Sequence, residues 1–150
     1  MEIKRKLEEQ RRMQRVWRIY EHPFFEEGLA KNKDAEKERK FCHHDMNHFL
    51  DVGRLMYIFS MERGYALGKE EIYAAALLHD IGKWQQYKAG IPHEIASAEI
   101  AKRILEETGF TKEESDRILF AILSHRGKAE ETENAGQDKW QLAEILYDAD

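Results

Sequence analysis

The sequence is short of the residues that break helices or cross-link a fold. Among 150 residues there are two prolines, nine glycines and one cysteine. The lone Cys42 excludes an intrachain disulfide and suits a reducing compartment. It stands beside His43 and His44 and reads as a small buried side chain, not a nucleophile. No apolar run approaches the roughly 18 residues of a membrane span, and the N-terminus has no apolar leader. A cytoplasmic protein without a membrane partner is therefore expected. Positive charge is not in excess either, because the formal net charge is −5. The locally basic KRKLEEQRRMQR stretch is interrupted by Glu and Gln, as on a solvated helix face, and no nucleic-acid partner is expected.

What is present points to a globular helical chain. Hydrophobic residues make up 42% and charged residues 35%, enough of the former for a core in one domain of this length. Residues 3–20 carry Met13, Val16, Trp17 and Tyr20 on one stripe. Pro23 predicts a break across EHPFFEEGLA, after which KNKDAEKERK leads as helix into the next segment. From His48 the positions Val52, Leu55, Met56 and Phe59 repeat at three and four, and Gly64 and Gly68 end that helix. Further helices are predicted over 69–80, over 93–108 and after Thr111, where T-K-E-E is a capping-box pattern followed by Ile118, Ile122 and Leu123. GKAEETENAGQD reads as a loop, and a last helix carries Leu142, Ile145, Leu146 and Ala149. Strand-like alternation is absent. The fold class is all-α, a bundle of about six or seven helices.

Helical phase turns several polar side chains toward that core. His48 precedes Val52 by four, His79 follows Ala75 by four, His93 precedes Ile100 by seven, His125 follows Ile118 by seven, and Asp150 follows Leu146 by four. One inward histidine is commonly a hydrogen-bonded core residue. Four of them converging with Asp80 and Asp150 would cost several kcal/mol for each unpaired charge. A divalent cation taking neutral imidazole and ionised carboxylate offsets that cost. His22 reads as a turn residue at Pro23, and His44 and Asp45 as groups beside the site or at a solvated helix end.

His48 with Val52, His79 and Asp80 in LLHDIGK, and the aspartate of the final YDAD resemble the HD-domain superfamily of metal-dependent phosphohydrolases. The resemblance covers residues 41–150 and leaves residues 1–40 as an N-terminal helical extension. It implies an HD-type helical bundle in which His48, His79, Asp80 and Asp150 bind a metal, with Asp148 the alternative to Asp150. Fraying at that helix end would weaken Asp150's hold. His93, in PHEIASAEIAKRIL, and His125, in AILSHRG, resemble the two extra histidines of branches that hold a second ion or grip substrate phosphate. The Gly-Tyr-Pro signature of the cyclic-dinucleotide branch is missing here.

The implied cofactor is one or two divalent ions among Fe, Mn, Ni, Co, Zn and Mg. The implied reaction is hydrolysis of a phosphomonoester or phosphoanhydride by metal-activated water, on a nucleotide or small metabolite. Dinucleoside polyphosphates are included, because that branch shares the order H…HD…H…H…D. Asp80 is the expected catalytic residue, with Lys83 stabilising charge or protonating the leaving group. Arg126 is a candidate phosphate clamp, and Trp84 and Tyr87 are read as packing residues before base-stacking ones. The alternatives are a non-catalytic metal or nucleotide sensor and a di-iron oxygenase.

Overall fold

The computed structural model of the protein describes residues 13–39, 43–125 and 137–150. Cys42, Arg126 and most of the predicted polar loop lie outside them. The described residues contain α1 (Gln14–Glu21), α2 (Pro23–Glu36), α3 (Met46–Arg63), α4 (Lys69–Leu78), α5 (Lys83–Ala89), α6 (His93–Glu107), α7 (Lys112–Ser124) and α8 (Gln137–Ala149). No strand occurs among them, so the all-α bundle is present. No described helix is long and apolar enough to cross a membrane.

Helix α4 is the hub. Its run Ile72, Ala74, Ala75, Ala76, Leu77 and Leu78 is buried on every side, and α1, α3, α6, α7 and α8 all pack on it. The three alanines keep its girth small, so neighbours approach closely. Gly53 of α3 meets the Tyr73 ring and Ala76 of α4 at a distance where a side chain would collide. Phe25, Phe49, Ile104, Ile118, Ile122 and Leu146 complete the interior from the surrounding helices.

Local chemistry sets the helix ends. Asp45 caps α3 by accepting from His48 N–H at 2.9 Å, the helix-end alternative of its two readings. Gly64 closes α3 in the left-handed region at φ 68°. Thr111 and Glu114 form the anticipated capping box of α7. The Pro23 break is confined to one residue. Pro23 is the first residue of α2 and His22 caps it, accepting from Phe24 N–H at 3.1 Å. Proline is favourable there because that N–H has no helical partner anyway, so the segment predicted as a break is mostly helix, and it stops at Glu36 instead of running on into α3.

Four positions expected on apolar stripes are largely exposed. Leu55 is 42% exposed and Leu123 50% exposed. Each sits one residue, about 100° of helix rotation, from the neighbour that faces the core, Met56 and Ile122 respectively. Trp17 and Tyr20 are also largely exposed, whereas Val16 and Ile19 face inward.

Two stabilising features can be checked directly. Arg15 of α1 grips Glu114 with two bonds of 2.6 and 2.9 Å and Glu70 with another of 3.1 Å, and the Arg15 side chain holds the Glu114 carboxyl down at about 2. Its ionised form is favoured by folding, so this stability is complete above the usual value of 4.5 and fades as pH falls toward 2. Glu114→Gln should cost about 1 kcal/mol near neutral pH and flatten the stability profile across that acid window, as followed by urea denaturation. Separately, a Cβ on Gly82 would lie 2.7 Å from Ala96 C and Ser97 N of α6. Gly82→Ala should cost about 1–3 kcal/mol by overpacking; an unchanged denaturation midpoint would refute this close approach.

Candidate metal centre

The HDIGK turn leaves the end of α4 with two liganding residues in succession. His79 is the helix's C-terminal cap, its N–H still bonded to Ala75 O at 3.0 Å. Asp80 follows in the turn, and both are almost fully buried. Around them stand His48 from α3, Asp150 at the end of α8, His93 at the start of α6 and His125 at the end of α7. The ligand atoms form two sets, each mutually within 4.8 Å: His48, His79, Asp80 and Asp150, and Asp80, His93 and His125. Asp80 belongs to both.

Its two oxygens divide between them. Asp80 Oδ2 lies 3.0 Å from His79 Nε2. Oδ1 lies 3.4 Å from His93 Nε2 and 3.3 Å from His125 Nε2. Asp150 Oδ1 lies 3.5 Å from His48 Nε2 and 3.4 Å from His79 Nε2. The Asp148 alternative is directed elsewhere, ion-paired at 2.8 Å with Arg63. The Asp150 N–H bonds to Leu146 O at 3.0 Å, so helical bonding carries through to the residue that needs positioning.

Hydrogen bonds on the far side of each ring orient the near side. His79 Nδ1 donates to Ala76 O at 2.7 Å and His125 Nδ1 to Ile122 O at 2.6 Å. His93 Nδ1 donates to Gln86 Oε1 at 2.7 Å, and the same oxygen accepts the His93 N–H at 3.0 Å. Carbonyl oxygens only accept, so each Nδ1 carries a proton and Nε2 is the nitrogen turned inward. His93 Nε2 and His125 Nε2 then face each other at 2.9 Å. Two lone pairs at that distance require a positive charge between or beside them. Among the described residues, the buried His48 Nε2, His79 Nε2 and Asp80 Oδ1 find no hydrogen bond of good geometry. Inward-facing imidazole nitrogens and carboxylate oxygens left unsatisfied in a buried space fit a divalent cation.

The titration behaviour shows the same demand. Burial pushes the His79 imidazole down, but Asp80 and Asp150 more than reverse this and hold it at about 10. Burial acts to raise Asp80, yet the facing His79 and His125 hold it well below the usual carboxylate range. Burial lowers His93 to about 4, with the Lys83 ammonium and His125 adding to the effect against Asp80. Asp80 thus stays ionised and His93 neutral, as metal ligands must be, while His79 holds between its two carboxylates a proton that a bound cation would displace.

The predicted residues His48, His79, Asp80, His93, His125 and Asp150 are therefore brought together. Lys83 joins them, its Nζ 3.3 Å from His93 Nδ1. Trp84 and Tyr87 make packing and hydrogen-bond contacts: Lys31 lies over the Trp84 ring at 4.2 Å, and Tyr87 OH donates to Glu36 at 2.8 Å. Sequence reasoning missed Gln86 and Asn32. Asn32 is fully buried, donates to Asp80 O and accepts from Trp84 N–H, both at 2.9 Å. A buried Asn four residues after Gly28 on one helix face was the available signal.

Comparison with known proteins bears on the family and the fold. The HD-domain family model matches residues 45–150. An uncharacterized protein of Clostridium beijerinckii is 44% identical over 122 residues, covering 81% of this chain and 72% of its own. Ribonuclease Y of Thermoanaerobacter pseudethanolicus is 33% identical over 87 residues, which are 57% of this chain and 15% of that protein. The crystal structure of a predicted HD superfamily hydrolase from an uncultured Thermotogales bacterium shares the fold at a TM-score of 0.60 and 27% identity. That match covers 83% of this chain and 64% of the other.

Gln86 should matter although it would touch no ion. Gln86→Ala frees the His93 ring and should weaken cation binding at the Asp80–His93–His125 set roughly 10- to 100-fold. The His48 side should be unaffected, as read by metal titration of the full chain.

Proposed function

The chain belongs to the HD-domain family, and from that premise we propose that it is a metal-dependent phosphohydrolase acting on a phosphomonoester or phosphoanhydride of a nucleotide or small metabolite. The observation that carries this reading is the Asp80 carboxylate shared by two sets of ligand atoms. His48, His79, Asp80 and Asp150 would hold one divalent ion, and Asp80, His93 and His125 a second. When bound, such ions neutralise phosphate oxygens and acidify water for attack on phosphorus.

The chain's own groups supply the rest. Asp80 keeps an ionised carboxylate between the two sets, and Asn32 fixes its backbone. The far-side acceptors Ala76 O, Gln86 Oε1 and Ile122 O lock three imidazoles with Nε2 inward. Lys83 brings a positive charge to the His93 side, where it would stabilise charge on the phosphoryl oxygens. Burial of Asp80, His79 and His125 keeps water from weakening these interactions. Dinucleoside polyphosphates are a specific substrate class within this proposal.

Elemental analysis of protein prepared without a histidine tag should find two divalent ions per chain. Asp80→Ala should empty both sets, and His125→Ala one. With Mn, Fe, Co, Ni or Mg supplied, the wild type should release phosphate or nucleotide from a panel spanning monophosphates, triphosphates and dinucleoside polyphosphates. Asp80→Ala should lower kcat by at least ~10²-fold, the scale of losing one charge-stabilising group. Persistent turnover in Asp80→Ala would defeat the proposal.

A further inference from the structure

Helix α3 packs on α4 through Gly53, which meets Tyr73 and Ala76. Ile58 stands five residues on, about 140° around the helix, and so faces away from that contact. It has company there. Leu55, Ile58 and Met61 are 42%, 47% and 65% exposed, and their spacing of three makes them one stripe instead of scattered single residues. Arg54 and Glu62 flank the stripe, and both are exposed. Arg54 bonds Asp51 of its own helix at 3.1 Å, an exposed pair that contributes little and is easily exchanged.

The face is symmetric in shape about Ile58. Leu55 precedes it by three residues and Met61 follows by three, whereas Arg54 precedes it by four and Glu62 follows by four. At about 100° per residue, the apolar pair lies roughly 60° to either side of Ile58 and the charged pair roughly 40°. In charge the face is antisymmetric, because the residue before Ile58 is a cation and its counterpart after is an anion. A two-fold axis at Ile58 brings up a second copy of the helix antiparallel. Ile58 then meets Ile58, Leu55 stands level with Met61 of the second copy, and Arg54 stands level with its Glu62. Two-fold contacts use the same patch on both subunits, so the patch must complement itself. Two charges of one sign at these positions would repel at both ends of the contact, and the sequence has one of each.

We propose that the outer face of α3 is the contact between two copies of this chain, an antiparallel helix pair centred on Ile58. This goes beyond the phosphohydrolase reading and does not depend on it. One helix pair is a small interface, so the dimer should be reversible, with a Kd on the order of micromolar. His48 lies ~15 Å along the helix from Ile58, so substitutions on this face should leave metal uptake unchanged.

Sedimentation equilibrium of the full chain over roughly 1–100 μM should show monomer converting to dimer. Ile58→Glu should stay monomeric throughout, with its helical circular dichroism intact. Arg54→Glu and Glu62→Arg each set like charges level at both ends of the contact, and each should weaken self-association about tenfold. Mixed in equal amounts, the two variants pair glutamates with arginines and should associate with each other about as tightly as wild type does with itself. Mixing cannot repair a folding fault in either chain, so that recovery reads the pairing itself. A wild type that remains monomeric at the top of the range would overturn the inference and leave the face to a partner of different chemistry. A dimer undisturbed by Ile58→Glu, or a mixture no tighter than its separate components, would overturn it equally.

Discussion

The Asp80 carboxylate is 2% exposed and has four imidazole nitrogens within 3.5 Å, from His44, His79, His93 and His125. A charge buried that deeply costs several kcal/mol unless its surroundings compensate. The compensation here is geometric. Oδ2 faces one group of rings and Oδ1 another, so a single side chain obliges α4, α6, α7 and the residue before α3's cap to converge. The helix ends follow from this. His79 and His125 are both C-terminal caps, and His93 opens α6, where a side chain can turn inward without sacrificing interior helical bonds.

Holding that carboxylate still requires support on both sides of its turn. From α2, Asn32 bonds the backbone at Asp80 and Trp84. From α6, Ser97 Oγ accepts the Gly82 N–H at 2.9 Å, and the absence of a Gly82 side chain lets the two backbones meet. The glycine of HDIGK is thus a spacing device at φ −101°, an ordinary backbone conformation. Beneath the turn, the alanines of α4 admit five neighbouring helices to one narrow element. The core and the centre are consequently one construction, because the helix that carries His79 is also the one most deeply buried.

Helical phase made much of this legible. His48, His79, His93, His125 and Asp150 each stand three, four or seven residues from a core position, and all reach the centre. The same rule overreached at Leu55 and Leu123, since a wide apolar stripe does not reveal which of two adjacent residues faces the solvent side. It also undervalued α2. Proline reads as a break, and a helix whose inward face is Gly28, Asn32 and Glu36 offers almost no apolar period to detect. Gln86 was hidden for a related reason: its partner His93 is seven residues away across a turn at Gly90, a relation set by chain folding and not by periodicity. Polar groups that orient other polar groups leave little trace in hydropathy.

The arrangement of protons explains why a cation suits this cage better than any set of hydrogen bonds. Nδ1 of His79, His93 and His125 is committed outward to an oxygen that can only accept. A proton on His79 Nε2 is favoured by the Asp80 and Asp150 carboxylates, which hold that imidazole at about 10. It cannot also relieve His93 and His125, whose Nε2 atoms face each other at 2.9 Å on the other side of Asp80. A proton shared between them would make one of the two a buried imidazolium, and His93 resists charging at about 4. A divalent ion has no such directional limit, since it accepts several lone pairs at once. The folded chain is therefore complementary to cations on both faces of Asp80, and their binding energy would add to the stability of the fold that gathers the ligands.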